Sequence, residues 1–403
     1  RWDHPRQNFF DNLSRAGGAI QQSREFGELV KDDPSRFIRI LPHLKPQWHE
    51  SYVGDALEDL AETDFSANAL IQIIEDLDQR GFVSENFRSD AARALQKIAE
   101  QHQGLPSSIL ALLESWFSSH SQPELAYYRS KEEQISALKS PILFGIGTYH
   151  VLPSGRGNIV RAIAEGYLQQ NPTNLEGWTK FIRLQLGVEP HPAVWVDMLS
   201  RMPPLLNGDR TQATELFDQV IRNCPEVFQY AWALYFISDT IGWFEPKETV
   251  QGWLEILQSN HSNFSQQAYG ELLLIQYLRY QDEWSVARIR HHLTTQDNEA
   301  ILCGLAHAAS HLWFKQRCRA IATEVLYTLA SSSSTSVQKA VASIFRLSRD
   351  NFKLNGGMRE IIQAVCQNQK VLLEAARDLT EIIEVEELTD NNPKIKVPQN
   401  WGI

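Results

Sequence analysis

The sequence has no long apolar run, which argues against a helix that spans a membrane. Its longest uninterrupted apolar stretch is the eight residues from Tyr230 to Ile237, whereas a helix needs about 18 to 20 such residues to cross a bilayer. No secretory signal pattern follows the first residue, Arg1. We therefore expect a soluble, cytoplasmic protein. Because the chain begins at Arg1 and not at Met, we also expect a piece of a longer protein or a processed form.

The sequence also has few cysteines, and its net charge is negative. Four cysteines are spread through helical patterns among 403 residues, which predicts free, buried thiols in a reducing compartment. The formal net charge is -11, so a general binder of the nucleic-acid backbone is not expected. We interpret the local basic groups as solvated helix faces; they are Arg288, Arg290, His291, His292, Lys315, Arg317 and Arg319.

Short catalytic motifs are absent as well. The sequence contains no Gly-x-Ser-x-Gly elbow, no Gly-x-x-x-x-Gly-Lys-Ser/Thr phosphate loop and no complete dinucleotide fingerprint. The acidic stretches at 55–64 and 374–390 are explained by solvated helix faces or by a polar tail. We therefore expect no cofactor and no enzymatic activity in this chain.

An apolar spacing of i, i+3, i+4 and i+7 recurs along most of the chain and places the apolar side chains of each segment on one helix face. It occurs at Leu70, Ile73, Ile74 and Leu77, and again within 250–257, 337–344 and 358–365. Short amphipathic helices joined by turns bury their faces against their sequence neighbours. The pattern predicts an all-α fold, an α-solenoid of HEAT-like or TPR-like helical pairs.

Glycine and proline divide this helical pattern. We predict an irregular helical segment at 1–46, a first helical-repeat block at 47–140, an irregular insertion at 141–158, a second block at 159–385 and an extended tail at 386–403. Four glycines and two prolines between Pro141 and Gly157 exclude a regular helix in the insertion. We also expect Trp401 to dock the tail.

The insertion has three possible interpretations. Gly145 and Gly147 could let backbone amides approach a phosphate, although the full motif is missing. Alternatively, the glycines permit a turn through which the chain passes between two helical blocks. In the third interpretation the insertion is a protruding recognition loop, with Tyr149, His150 and Arg156 as contacts for a protein partner.

The spacing most typical of a metal site is Cys303, His307 and His311, which fall on one face of a predicted helix. The first and third of these residues would lie about 12 Å apart along a straight helix, so the three cannot share one ion. We therefore predict no metal site, with His307 and His311 as weak candidates. The alternative is a helix that packs closely through Gly304 and its neighbouring alanines, with its histidines hydrogen-bonded between repeats.

The segment from Ile142 to Asn158, the following Ala-Glu-Gly-Tyr-Leu helix and Glu176-Gly-Trp178 resemble a known class of protein region. They are similar to the helical-repeat C-terminal regions of bacterial STAND-type (NACHT-like) ATPases, including antiviral ones. In that family an effector and a central ATPase precede a helical sensor, and binding of a foreign protein triggers oligomerisation. No Walker motif is present here, so the resemblance implies only the sensor role.

These observations favour a non-catalytic solenoid that recognises a protein, as the ligand-sensing arm of a larger defence or signalling ATPase. The expected partner is a protein ligand, for example a phage protein, and neither a membrane nor a nucleic acid. Oligomerisation in the context of a full-length protein stays open. The first alternative is a stand-alone scaffold or adaptor. The second is a metal-dependent helical enzyme that uses the region of His307 and His311.

Overall fold

A computed structural model describes residues 19–121, 140–144, 155–242, 246–348 and 356–376. Regular secondary structure in these residues is helical throughout, without a strand. The chain divides into two compact units: unit 1 comprises Arg1–Tyr128 and Leu152–Cys224, and unit 2 comprises Arg129–Val151 and Pro225–Ile403. The all-α prediction is confirmed.

Unit 1 is built from helices that pack mainly against the helix two positions away in the chain. The row α1, α3, α5, α7 and α9 packs in that order, and the remaining helices lie beside it. The helices are α1 Ala19–Asp32, α2 Pro34–Ile40, α3 Pro46–Leu60, α4 Ala67–Gln79, α5 Glu85–Gln101, α6 Ser107–Ser119, α7 Arg156–Leu168, α8 Leu175–Gln185, α9 Pro192–Leu199, α10 Pro203–Gly208 and α11 Arg210–Asn223. This contact order is that of an α-solenoid.

Unit 2 repeats the same arrangement with two rows of helices. One row is α12, α14, α16 and α18, and the other contains α13, α15, α17 and α19. Their bounds are α12 Ala231–Gly242, α13 Lys247–Ser259, α14 Asn263–Tyr280, α15 Glu283–Thr295, α16 Glu299–Leu312, α17 Arg319–Leu329, α18 Thr335–Ser348 and α19 Gly356–Gln367. Residues 369–376 are also helical.

Short polar side chains cap the starts of many helices. An oxygen of the capping side chain accepts a hydrogen bond from the backbone N–H three residues later, at Ser66, Ser84, Asn174, Asp209, Ser262 and Asn298. Such caps satisfy backbone N–H groups that have no partner within the helix. The serine run at 331–335 also caps a helix, because Val337 N donates to Ser334 Oγ.

Helices α14 and α16 form the centre of unit 2, and glycine lets them approach closely. A Cβ added to Gly304 of α16 would lie 2.9 Å from the carbonyl carbon of Gln267 and closer still to its oxygen. A Cβ on Gly270 of α14 would lie 2.9 Å from Leu305 N. Since real Cβ atoms essentially never come within 3.0 Å of such atoms, the two helices touch backbone to backbone. The predicted close packing through Gly304 is confirmed.

The described helices on either side of the insertion pack together in unit 1. Helix α7, which follows it, packs directly on α5, which precedes it, within unit 1. The chain changes from one unit to the other at 128/129, at 151/152 and at 224/225, and the last of these changes lies well inside the predicted second block. This boundary comes from packing between helices distant in sequence, which local composition does not report.

Several tryptophans belong to the apolar core. Trp116, Trp178, Trp195, Trp253 and Trp313 are buried, while Trp284 is partly exposed. All four cysteines are free, but only Cys224, Cys303 and Cys318 are buried. The expectation of a buried thiol is wrong for Cys366, which lies on the exposed face of α19. Among the described helices, none has the length and apolar character to cross a membrane.

Candidate functional site

Part of the insertion is bound to unit 2, where it is surrounded by helices. We call residues 140–144 (Ser-Pro-Ile-Leu-Phe) the anchored segment; its last three residues form a bend. The side chain of Ile142 is 3% exposed. This part of the insertion therefore does not protrude, which corrects the expectation of a loop that protrudes as a whole.

Side chains from two helices, α12 and α14, hold the anchored segment by its backbone. Glu271 of α14 accepts hydrogen bonds from Ile142 N at 2.8 Å and from Leu143 N at 2.7 Å. One turn earlier on the same helix, Gln267 donates to the carbonyl oxygen of Ser140 at 2.7 Å. Tyr235 of α12 donates to the carbonyl oxygen of Ile142 at 3.3 Å. Because these bonds reach main-chain atoms, they fix the backbone conformation more than the identity of the bound side chains.

An aromatic contact with α16 completes this arrangement. The rings of Phe144 and His311 stack with centroids 4.8 Å apart and planes inclined by 14°. Burial lowers the pKa of His311, and the charge of Arg346 lowers it further, which favours the neutral, stacking imidazole. We call Tyr235, Gln267, Glu271 and His311 the clamp.

Glu271 is the most unusual group of the clamp, because its carboxyl group is completely buried. Burial raises its pKa to about 7, while the two backbone N–H groups and the amide of Gln267 act in the opposite direction. A buried carboxylate is costly unless donors surround it. Both of its oxygens accept N–H groups of the anchored segment, so Glu271 has the surroundings of a binding group. A general base would instead face the proton of a substrate.

Sequence reasoning did not identify Glu271 or Gln267. The structure shows why these two residues need partners, because α14 is buried on nearly every side. Two polar residues four positions apart in such a helix need partners from elsewhere in the chain. Ile142, which supplies one of them, lies 129 residues away, and no local pattern connects the two positions.

The structure describes only one of the three predicted contact residues. Tyr149 and His150 lie outside the described residues. Arg156 lies at the start of α7 in unit 1 and is only 6% exposed. Its guanidinium pairs with Glu189 at 2.6 Å and lies 4.2 Å above the ring of Phe117. The expectation of an exposed contact side chain therefore does not hold for Arg156, which contributes to the core of unit 1.

A second cluster of buried charged groups in unit 1 surrounds Asp197 of α9. Asp197 is fully buried and bridges Arg161 at 3.1 Å and Arg201 at 2.9 Å. Burial raises the pKa of Asp197 to about 6, and the two arginines oppose that rise. Asn158, in the same helix as Arg161, donates to Ser89 Oγ of α5 at 2.6 Å. These bonds hold α5, α7 and α9 in register.

The weak metal candidates are placed in a packed helix. His307 is buried and His311 stacks on Phe144. Among the described residues, the one acidic or metal-ligating group that is close enough to share an ion consists of Asp55, Glu58 and Asp90 in unit 1. Arg93 already binds two members of that group, at 2.7 Å to Glu58 and 2.9 Å to Asp90.

Unit 1 also contains an open groove of about 770 Å³. Its aliphatic lining includes Ile71, Ile98 and Leu105, and its polar lining consists largely of Asn and Gln side chains. Gln103 and Gly104 have φ of 66° and 87° in the adjoining turn. The sequence indicated a helix end at Gly104 but no groove, because the opposite wall comes from residues 170–176.

Two exposed basic residues of unit 2 are paired with carboxylates. Arg290 pairs with Glu324 at 2.9 Å and Arg288 with Glu255 at 3.4 Å. Such exposed pairs contribute little stability, but they reduce the positive potential of this surface.

Comparisons with known proteins do not assign this chain to a family. No protein-family model matches it, and no curated protein matches it. Among solved structures it is similar to one described as "Structure of the TSC2 N-terminus", at 12% identity and a TM-score of 0.30, over 93% of this chain and 91% of that one. Likeness at this level carries no conclusion about function.

Proposed function

We infer that this chain is a non-catalytic solenoid that recognises a protein, and that it serves as the ligand-sensing arm of a larger bacterial STAND-type ATPase. The observation that supports recognition is the clamp, in which side chains of α12 and α14 hold a short polypeptide segment by its main chain. The resemblance of the insertion and α7 to STAND sensor regions supports the larger context. A protein ligand, for example a phage protein, would act by favouring one arrangement of the helices over another.

A capture experiment tests this proposal. The purified, tagged chain is incubated with lysates of phage-infected and uninfected bacteria, and the retained proteins are identified by mass spectrometry. We expect a phage protein to be retained only from infected cells and to bind again, at one-to-one stoichiometry, when both proteins are pure. Retention of the same host proteins from both lysates would instead favour a stand-alone scaffold and contradict the sensor role.

Variants of the predicted contact residues sharpen this test. The double change of Tyr149→Ala and His150→Ala is expected to weaken capture at least about ten-fold without changing the melting temperature. Arg156→Ala serves as the contrasting variant and should lower the melting temperature, because it leaves the buried Glu189 without its cation. Unchanged capture by the double variant would remove Tyr149 and His150 from the proposed interface.

A further inference from the structure

The anchored segment has the features of a bound ligand. Its contacts with the clamp include four hydrogen bonds to its own main-chain N–H and C=O groups. Two side chains add an aliphatic contact, at Ile142, and an aromatic one, at Phe144. Proline at 141 has no N–H group, so the first donor available to Glu271 after Ser140 is Ile142 N.

Glu271 also makes an unoccupied clamp unfavourable. If the segment left and nothing replaced it, a completely buried carboxylate would lose both backbone donors. Gln267 Nε2 would still donate to Glu271 Oε1 at 3.1 Å, but the loss of two of its three hydrogen bonds makes a buried carboxylate strongly destabilising. Exchange of the segment for another polypeptide that supplies two successive N–H groups avoids that cost.

We propose that the clamp is a peptide-binding site that residues 140–144 occupy in cis, and that a loop of a protein partner displaces them. The partner loop presents two successive N–H groups at a bend, an aliphatic side chain at the first of these positions and an aromatic ring two residues later. This inference rests on the proposed role in protein recognition and identifies the site and its regulation. The anchored segment then sets a threshold of affinity, because only a ligand that binds the clamp tightly enough to displace the segment can occupy the site.

The expected size of that threshold follows from tethering. A segment joined to its own site competes at an effective concentration of about millimolar, and the apparent affinity for a free ligand falls with the fraction of open sites. Variants that weaken the anchored segment should therefore raise the affinity for a free peptide. Ile142→Asp places a charge in a buried position beside Glu271, and Leu143→Pro removes one of the two N–H donors.

The test measures binding of a fluorescent peptide with the sequence of residues 140–144, Ser-Pro-Ile-Leu-Phe, to the full chain by polarisation. We expect Ile142→Asp and Leu143→Pro to bind it at least about ten-fold more tightly than the unchanged chain. Val188→Asp, at a position that is 70% exposed in unit 1, is the matched control for an added charge and should leave the affinity unchanged. Circular dichroism establishes that each variant is folded.

Adding Glu271→Gln to Ile142→Asp checks the location of binding. A glutamine can accept only one of the two N–H groups and turns its own NH₂ toward the other, so the affinity should fall again by at least about ten-fold. The proposal is overturned if both weakened variants bind no more tightly than the unchanged chain. It is equally overturned if Glu271→Gln leaves binding intact, since the peptide would then occupy another surface, such as the groove of unit 1.

The peptide-binding test is independent of the capture experiment, because it uses only the purified chain and a synthetic peptide. Failure to capture a phage protein would contradict the sensor role while peptide exchange still stands. Failure of peptide exchange would contradict occupation in cis, whichever proteins the chain retains from a lysate.

Discussion

Replacing Gly304 with alanine should destabilise unit 2 by about 3 kcal/mol, although alanine is the better helix former. The added Cβ would lie 2.9 Å from the carbonyl carbon of Gln267 and 3.1 Å from Glu271 N, with the carbonyl oxygen of Gln267 nearer still. All of these are backbone atoms, so no side chain can rotate away. Helices α14 and α16 would have to separate along their contact.

Gly252 of α13 provides the matched control. It also lies inside a helix, but a Cβ added there would meet nothing within 4 Å. Gly252→Ala should therefore stabilise the protein by about 0.5 to 1 kcal/mol, through the loss of conformational freedom in the unfolded chain. Urea denaturation of both variants measures the two effects. If both changes had the same sign and similar size, the close approach of α14 and α16 would be refuted.

The Gly304 prediction also concerns the clamp. Gln267 and Glu271 belong to the segment of α14 that contacts Gly304, and the same two residues hold the anchored segment. Since α16 carries His311, the distance between the helices sets the spacing between Glu271 and the stacking imidazole. We therefore expect Gly304→Ala to weaken the hold on residues 140–144 as well as the stability of unit 2.

Replacing Asp197 with alanine should lower the stability of unit 1 by about 3 to 5 kcal/mol. Its carboxylate is fully buried between Arg161 and Arg201, whose side chains are only 14% and 17% exposed. Removal of the carboxylate leaves two neighbouring, poorly solvated cations without the anion between them. Arg201 keeps its contact with Glu165 at 3.6 Å, but the buried positive charge that Asp197 balanced is then in excess, and this excess accounts for most of the cost.

Asp218 and Arg222 offer a control with the same i, i+4 spacing at the surface. Their side chains are 32% and 60% exposed, and they lie 2.7 Å apart. Exposed pairs contribute at most about 1 kcal/mol, so Asp218→Ala should have a small effect. Thermal and urea unfolding of the two variants compares the pairs directly. A loss below about 1 kcal/mol for Asp197→Ala would mean that water reaches the three ions.

The sequence predicted the helices well and their partners poorly. The apolar spacing predicted a helix around 250–257, and the structure has α13 at Lys247–Ser259. Such agreement is expected because amphipathic spacing and capping residues are local properties. The packing of α5 on α7 across the insertion is not local, since it depends on contacts such as that of Asn158 with Ser89, 69 residues apart.

In the candidate site, too, the sequence predicted local structure but not the contacts between distant residues. Glycine and proline correctly excluded a regular helix from residues 141–144, whereas residues 156–158 of the predicted insertion already belong to α7. The pattern could not reveal that Ile142 is buried or that Glu271 holds its backbone. Arg156 illustrates the opposite error: flanking glycines suggested an exposed loop, but Phe117 and Glu189 enclose its guanidinium. Tertiary partners decide whether a charged side chain beside a loop faces the solvent.

Hydrogen–deuterium exchange at the amides of Ile142 and Leu143 tests the central claim most directly, namely that Glu271 anchors residues 140–144 on unit 2. We expect both amides to be protected in the unchanged chain, since hydrogen-bonded N–H groups exchange only when the segment opens. Glu271→Gln should speed their exchange by at least about ten-fold, whereas Gly252→Ala should not. Fast exchange of both amides in the unchanged chain, or equal protection with and without Glu271, would contradict the account.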